Sequence, residues 1–184
     1  MGKEQTLTEP LVTDDPGVGH EPAYMSAHPP IESAWASFEL HYQPLADSVT
    51  RQIVGYESLM RLRDADGTLI YPDSFLPCLE RSGLMPRLGR WAITHALRDH
   101  SRDSQGFIAI NLGQGELAEL DLVALLHSEY SEIGLSLDRV MFEITEDALS
   151  RVEPVVIDKL AHLRSHGVRI ALDDFGTGYS CLAM

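Results

Sequence analysis

The sequence predicts an α/β fold in which helices cover a largely parallel sheet. Short apolar segments typical of strands alternate along the chain with longer segments whose apolar residues repeat at helical spacing. Repeated strand–helix–strand units favour a parallel sheet, because each crossover helix returns the chain to the edge from which the next strand starts. A hydrophobic content of 44% is sufficient for the core of such a fold.

Two strands open the predicted order of elements. Residues 38–42 alternate apolar and polar side chains and stop at Pro44, which indicates a half-buried strand. Residues 53–60 form the next predicted strand, and the segment 64–67 is typical of a turn because it ends in Asp-Gly. The remaining predicted elements are helices over 74–81, 86–103, 115–129 and 154–166, and strands over 107–110, 140–144 and 168–172.

The N-terminal residues 1–36 differ from the rest of the chain. They contain five of the ten prolines and six acidic residues against one basic residue, Lys3, with no apolar periodicity. Such a segment buries too little surface to offset the entropy lost on ordering. We therefore expect a disordered acidic tail over 1–36, with a docking peptide as the alternative, and a folded part over 37–184.

The charge balance excludes several classes of partner. Fourteen basic residues against 28 acidic ones give a net charge of −14, which argues against binding to a nucleic acid polymer and against a polybasic membrane anchor. Twelve of the basic residues are arginines, whose planar fork suits phosphate groups. A site for one small anionic ligand therefore remains open.

The cysteines and the hydropathy bound the compartment. Cys78 and Cys181 are far apart in the chain, which excludes a thiolate zinc site and a disulfide scaffold and favours reduced thiols in the cytoplasm. No apolar run approaches the roughly 20 residues that a transmembrane helix needs. We expect a cytoplasmic protein with no membrane span.

Polar side chains that can bind metals follow or interrupt several of the predicted strands. Asn111, Glu143 and the pair Asp173–Asp174 stand at strand ends, and Glu57 lies inside an otherwise apolar segment. Catalytic residues collect at the C-terminal ends of strands in parallel barrels. Oxygen ligands of this kind suit Mg²⁺ or Mn²⁺.

Structural interpretations of the same residues stay open at this point. An Asn or Asp at a strand end often caps the following helix, and this applies most directly to Asn111. Glu146 and Asp147 fit the first turn of a helix, where acidic residues oppose the helix dipole. Glu57 could face solvent if its strand lies at the edge of the sheet.

The segment 173–180 reads Asp-Asp-Phe-Gly-Thr-Gly-Tyr-Ser. Gly176 and Gly178 allow a tight loop whose amides can face an anion. The Asp-Phe-Gly triplet also occurs in protein kinases, but the chain has no upstream glycine-rich loop and no His-Arg-Asp catalytic loop. A kinase is therefore excluded.

Five segments in order resemble the EAL domain family, the bacterial cyclic di-GMP phosphodiesterases of second-messenger signalling. The segments cover residues 42–45, 54–61, 110–113, 142–146 and 173–182. They resemble the family's opening YQP, the stretch that names the family, its Asn-Leu-Ser segment, its Glu-x-Thr-Glu segment and its DDFGTGYSSL signature. The resemblance extends over about residues 38–184.

The resemblance implies a fold and a set of roles. The fold would be a (β/α)₈ TIM-like barrel with an antiparallel first strand. Glu57, Asn111, Glu143 and Asp173 would hold one Mg²⁺ or Mn²⁺, and Asp173 with Asp174 would hold a second. Glu57, Asp173 and Asp174 would be catalytic, whereas Gln43 and Arg61 would bind cyclic di-GMP. Two ions would support hydrolysis to linear pGpG.

The sequence departs from the family pattern in two ways. Ser58, Gly113 and Cys181 replace the family's Ala, Ser and Ser. The chain also ends at Met184 after about five of eight strands, before the family's catalytic Lys, a later Glu and a guanine-contacting Gln. We therefore expect an incomplete barrel that is impaired alone and that a homodimer or a partner protein completes. The alternatives are a non-catalytic module that binds cyclic di-GMP or another protein, and a fragment without function.

Overall fold

A computed structural model describes residues 37–103, 106–150 and 153–173 of the chain. The expected tail over 1–36, Asp174 and the glycine-rich segment that follows it lie outside the described residues. Strands and helices alternate in the described part. The strands are β1 (Phe38–Ala46), β2 (Ile53–Arg63), β3 (Leu69–Ile70), β4 (Phe107–Leu112), β5 (Val140–Thr145) and β6 (Arg169–Asp173). The helices are α1 (Pro72–Arg81), α2 (Met85–Asp103), α3 (Gln114–Glu119), α4 (Leu122–Ile133), α5 (Glu146–Ser150) and α6 (Pro154–Ser165), and a 3₁₀ turn covers Leu137–Arg139.

The strands form one mixed sheet, as the sequence predicts. Its order is β1-β2-β4-β5-β6, with the short β3 paired to β2. β1 and β3 run antiparallel to β2, whereas β2, β4, β5 and β6 run parallel to one another. The α/β class and the antiparallel first strand are therefore confirmed, and the sheet corresponds to part of a barrel.

The two faces of the sheet carry different side chains. Ile108 and Ile110 of β4 and Phe142 and Ile144 of β5 are almost fully buried in the main core. The helices contribute to this core through Leu97, Leu126, Leu160 and their neighbours. Because side chains alternate along a strand, the odd-numbered residues of β4 and β5 lie on the opposite face, away from the helices.

The predicted helix over 115–129 is wrong, because the structure has two helices there. α3 ends at Glu119, and Leu120 adopts an extended conformation with φ −82° and ψ 135°. Asp121 then caps α4, since its Oδ1 accepts a hydrogen bond of 3.0 Å from the amide of Ala124. A local side-chain cap therefore overrides the continuous helical spacing of the leucines.

The first strand also differs from the prediction, since β1 continues through Pro44 to Ala46. Proline cannot donate to a sheet ladder, but an edge strand leaves one row of amides without a partner strand. β1 stands at the end of the described strand order, where proline is tolerated.

In the described part of the chain, no helix combines the length and the apolar character needed to cross a bilayer.

Replacing the α4 cap tests this account of the helix break. We expect Asp121→Ala to lower the free energy of unfolding by about 1 kcal/mol, because the Ala124 amide loses its partner. Urea unfolding followed by circular dichroism measures the change. Ser136→Ala is the matched control, since Ser136 precedes the 3₁₀ turn without a side-chain capping bond. Equal losses in the two variants would contradict the assignment.

Candidate functional site

The strand register places four of the predicted site residues on one face of the sheet. Glu57 pairs with Ala109 in β4, and two residues farther along that strand Asn111 pairs with Glu143 of β5. Asp173 of β6 pairs with Thr145, which lies two residues beyond Glu143. Residues paired across strands point to the same side, and so do residues two apart in one strand. Glu57, Asn111, Glu143 and Asp173 therefore face away from the helical core, and we call these four residues the carboxylate face.

One direct hydrogen bond joins two members of the carboxylate face. The Asn111 side-chain amide donates to Oε1 of Glu57 over 3.0 Å. Asn111 belongs to β4, and Gly113 precedes α3, so the alternative in which Asn111 caps the helix is wrong. Glu57 is half-buried on β2, an inner strand, which also excludes the alternative of an acid on a sheet edge.

The electrostatics of Glu143 show that the carboxylates act on one another. Its pKa is raised from the ordinary 4.5 to about 7, first by burial and then by the negative charges of Glu57 and Asp173. The three groups are thus within electrostatic range. Among the described residues, no three acidic, histidine or cysteine side chains already converge at the distances that a metal ion requires. Closer approach needs a cation to offset the repulsion.

The donor set fits a hard divalent cation. Glu57, Asn111, Glu143 and Asp173 offer only carboxylate and amide oxygens as metal ligands, which are the donors that Mg²⁺ and Mn²⁺ prefer. Accepting an ion would require the Glu57–Asn111 hydrogen bond to rearrange, because the amide now presents its nitrogen to Glu57. The predicted second ligand pair includes Asp174, which is outside the described residues.

The two residues predicted to bind the ligand, Gln43 and Arg61, lie on the same face of the sheet as Glu57. Gln43 of β1 stands directly opposite Glu57 and is exposed. Arg61 follows Glu57 by four residues, which places it on the same face about 13 Å farther along the strand. Its guanidinium donates to the carbonyl of Met60 over 2.7 Å and lies 4.7 Å from the ring centroid of Tyr71.

Tyr71 is a residue that sequence reasoning missed. It is 58% exposed, follows β3 and precedes α1. The pairing of Ile70 with Leu62 brings Tyr71 beside Arg61. The available signal was an aromatic residue directly before a proline that begins a helix, and this signal alone does not indicate a site.

The substitution at Ser58 is accommodated within the sheet. Ser58 is buried, and its hydroxyl donates to the carbonyl of Ala109 over 3.0 Å. The extra hydroxyl therefore has a partner and points away from the carboxylate face.

The substitution at Gly113 adjoins a buried acid that the sequence did not reveal. Glu116 is 5% exposed, and burial raises the pKa of its carboxyl. Its Oε2 has no hydrogen-bond partner among the described residues. A Cβ added at Gly113 would lie 2.9 Å from Oε2, and one at Gly89 would lie 2.2 Å from the Glu116 Cγ. The two glycines make room for this side chain.

The raised pKa of Glu143 predicts a pH-dependent effect on stability. The folded-state pKa of Glu143 is about 7, above its ordinary value of 4.5, so folding favours the protonated carboxyl. This contribution to the stability of the folded chain is fully present below pH 4.5 and is lost as the pH rises through 7. We expect Glu143→Gln to raise the melting temperature of the metal-free chain more at pH 8 than at pH 5.5. Scanning calorimetry in chelator measures both values.

The control for this effect is Glu119→Gln, which removes an exposed acid on α3. It should change the melting temperature by similar small amounts at both pH values. A Glu143→Gln effect independent of pH would contradict the assigned repulsion.

The chain matches the EAL domain family over residues 33–184. It is 39% identical over 145 residues to an uncharacterized signaling protein of Caulobacter vibrioides, covering 78% of this chain and 18% of that protein. It is 34% identical over 150 residues to the cyclic di-GMP phosphodiesterase NbdA of Pseudomonas aeruginosa, covering 79% of this chain and 19% of NbdA. This chain thus spans about a fifth of the length of each of these two relatives.

Solved structures are also similar to this chain. The c-di-GMP complex of the PaMucR phosphodiesterase matches with a TM-score of 0.74 and 30% identity, covering 82% of this chain and 64% of that one. A manganese and c-di-GMP complex of BlrP1 from Klebsiella pneumoniae matches with a TM-score of 0.66 and 25% identity, covering 79% and 37%. Because the family match includes the carboxylate face and most of the chain, this protein belongs to the EAL domain family.

Proposed function

We propose that the chain carries the metal-binding and phosphate-binding half of a cyclic di-GMP phosphodiesterase. The observation that supports it is the carboxylate face, which sets three acids and an amide on one side of the parallel strands. Two relatives point the same way, since NbdA is a cyclic di-GMP phosphodiesterase and BlrP1 was solved with manganese and cyclic di-GMP. A cytoplasmic location, expected from the cysteines, is part of the proposal.

The residues divide into ion-holding and ligand-holding groups. Glu57, Asn111, Glu143 and Asp173 hold one Mg²⁺ or Mn²⁺, and Asp173 with Asp174 holds a second. When bound, two such ions supply a nucleophile at neutral pH and neutralise charge on the phosphate. Arg61 binds a phosphate oxygen of cyclic di-GMP through its guanidinium, and Gln43 contacts the ligand from the neighbouring strand.

Arg61 is suited to this task by its present contacts. Among the described residues, its guanidinium is held by the Met60 carbonyl and the Tyr71 ring rather than by a carboxylate. Neither contact neutralises its positive charge, so the charge stays available for a phosphate. A chain of net charge −14 binds a dianionic dinucleotide only where bound cations and such an arginine reverse the local sign.

A second candidate function is a non-catalytic module that binds cyclic di-GMP or another protein. It is favoured by the finding that, among the described residues, no three acidic, histidine or cysteine side chains lie close enough together to hold a metal ion. Such a module would keep the contacts of Gln43 and Arg61 with the ligand without turnover. Such a module would bind a second copy of the chain or a partner protein.

Metal titration tests the ion-holding half of the proposal. We expect Mn²⁺ to bind, and Asp173→Asn and Glu57→Gln each to weaken the affinity at least about 10-fold, because each removes a ligand carboxylate. Isothermal titration calorimetry measures this. Asp158→Asn, an exposed acid on α6, is the control and should leave the affinity unchanged. Equal affinities in all variants would contradict the site.

Turnover distinguishes the two functions. The phosphodiesterase proposal expects the chain with Mg²⁺ or Mn²⁺ to convert cyclic di-GMP to pGpG at the impaired rate expected from its sequence, and Glu57→Gln to abolish this conversion. Chromatography of the nucleotides measures the product, with Asp158→Asn as the active control. Tight binding of cyclic di-GMP without pGpG would instead support the binding module. Absence of both binding and turnover would overturn the phosphodiesterase and the module that binds cyclic di-GMP, and would leave only a module that binds another protein.

A further inference from the structure

We propose that Tyr71 is a stacking surface for one guanine base of the bound dinucleotide, beside the arginine that receives its phosphate. This inference rests on the proposed function and deepens it. It starts from a contact in the structure: the Arg61 guanidinium lies over the Tyr71 ring, 4.7 Å from its centroid. The pair sets a positive charge and an aromatic surface side by side.

The backbone holds Tyr71 in this position from both sides. Before it, Leu69 and Ile70 pair with the end of β2, which fixes the approach of the chain to Arg61. After it, Pro72 begins α1, and Tyr71 itself is extended with φ −90° and ψ 157°. Proline restricts the preceding residue to this extended region. The ring is thus presented by a rigid junction rather than by a mobile loop.

Exposure alone would not single out Tyr71, because isolated exposed aromatic residues are common on protein surfaces. Tyr130 is 47% exposed and has no comparable neighbour among the described cation–aromatic contacts. Tyr71 differs because it is 58% exposed while it contacts the residue predicted to bind phosphate. Most of its surface stays open to a flat ligand group even with the guanidinium in place.

The chemistry of a cyclic dinucleotide fits this pair. Each nucleotide joins a phosphate and a purine through one ribose, so a protein that grips both needs a cation and an aromatic surface close together. Stacking of a base on an aromatic side chain is tolerant of base identity and contributes substantially to affinity. The guanidinium can take the phosphate while it keeps its contact with the ring.

Binding of cyclic di-GMP to the full chain tests this role, with Ca²⁺ replacing Mg²⁺ to slow hydrolysis. We expect Tyr71→Ala to raise the dissociation constant about 10-fold and Tyr71→Phe to change it less than about 2-fold. Tyr130→Ala is the control and should bind as the parent chain does. Tyr71→Leu keeps apolar bulk without a ring, so its expected loss separates stacking from a folding defect.

A fluorescent analogue separates stacking from an indirect effect through Arg61. When one guanine of the dinucleotide is replaced by 2-aminopurine, stacking on Tyr71 should quench its emission at saturating protein. We expect Tyr71→Leu and Tyr71→Ala to lose this quenching and Tyr71→Phe to retain it. Quenching that persists at saturation in Tyr71→Leu would overturn the proposal, even if the affinity falls.

The binding data also separate the two levels of the proposal. If the parent chain binds and Tyr71→Ala binds equally well, the stacking role alone is wrong. If the parent chain binds no cyclic di-GMP, the proposed function fails, and the role of Tyr71 fails with it.

Discussion

The parallel register of β2, β4, β5 and β6 is the constraint on which the rest of the structure depends. It sets Ile108, Ile110, Phe142 and Ile144 on the helical side of the sheet and leaves the intervening positions for Asn111 and Glu143. A slip of one residue in any strand would exchange the two sets, burying a carboxylate in the core and exposing apolar side chains. The main core and the carboxylate face are therefore specified by the same pairing.

This arrangement concentrates negative charge on the carboxylate face, where it does not stabilise the fold. Burial and the charges of Glu57 and Asp173 together raise the pKa of Glu143 to about 7. Such a group of acids costs stability unless a cation binds among them, and it gains a use when a cation does. Arg61 lies farther along the same face, and its fixed positive charge is the reason that we propose it as the contact for an anionic ligand.

Strong local patterns made much of this structure predictable. Apolar strands ending at Asn111, Glu143 and Asp173 predicted both the sheet and the shared face, because parallel strands bring such ends together. The break between α3 and α4 escaped prediction, since leucine spacing continues through it and only the Asp121 cap interrupts the helix. Tyr71 and Glu116 also escaped, because their roles depend on contacts with Arg61 and the two glycines that no local pattern contains.

The central claim is that the carboxylate face is a divalent-cation site, and a carboxyl ¹³C NMR titration of the glutamate-labelled chain tests it most directly. Without metal, the Glu143 carboxyl should titrate with a pKa of about 7. With saturating Mg²⁺, the same signal should titrate below the ordinary glutamate value, because a bound cation favours the ionised form. A Glu143 titration curve that is identical with and without Mg²⁺ would contradict the claim.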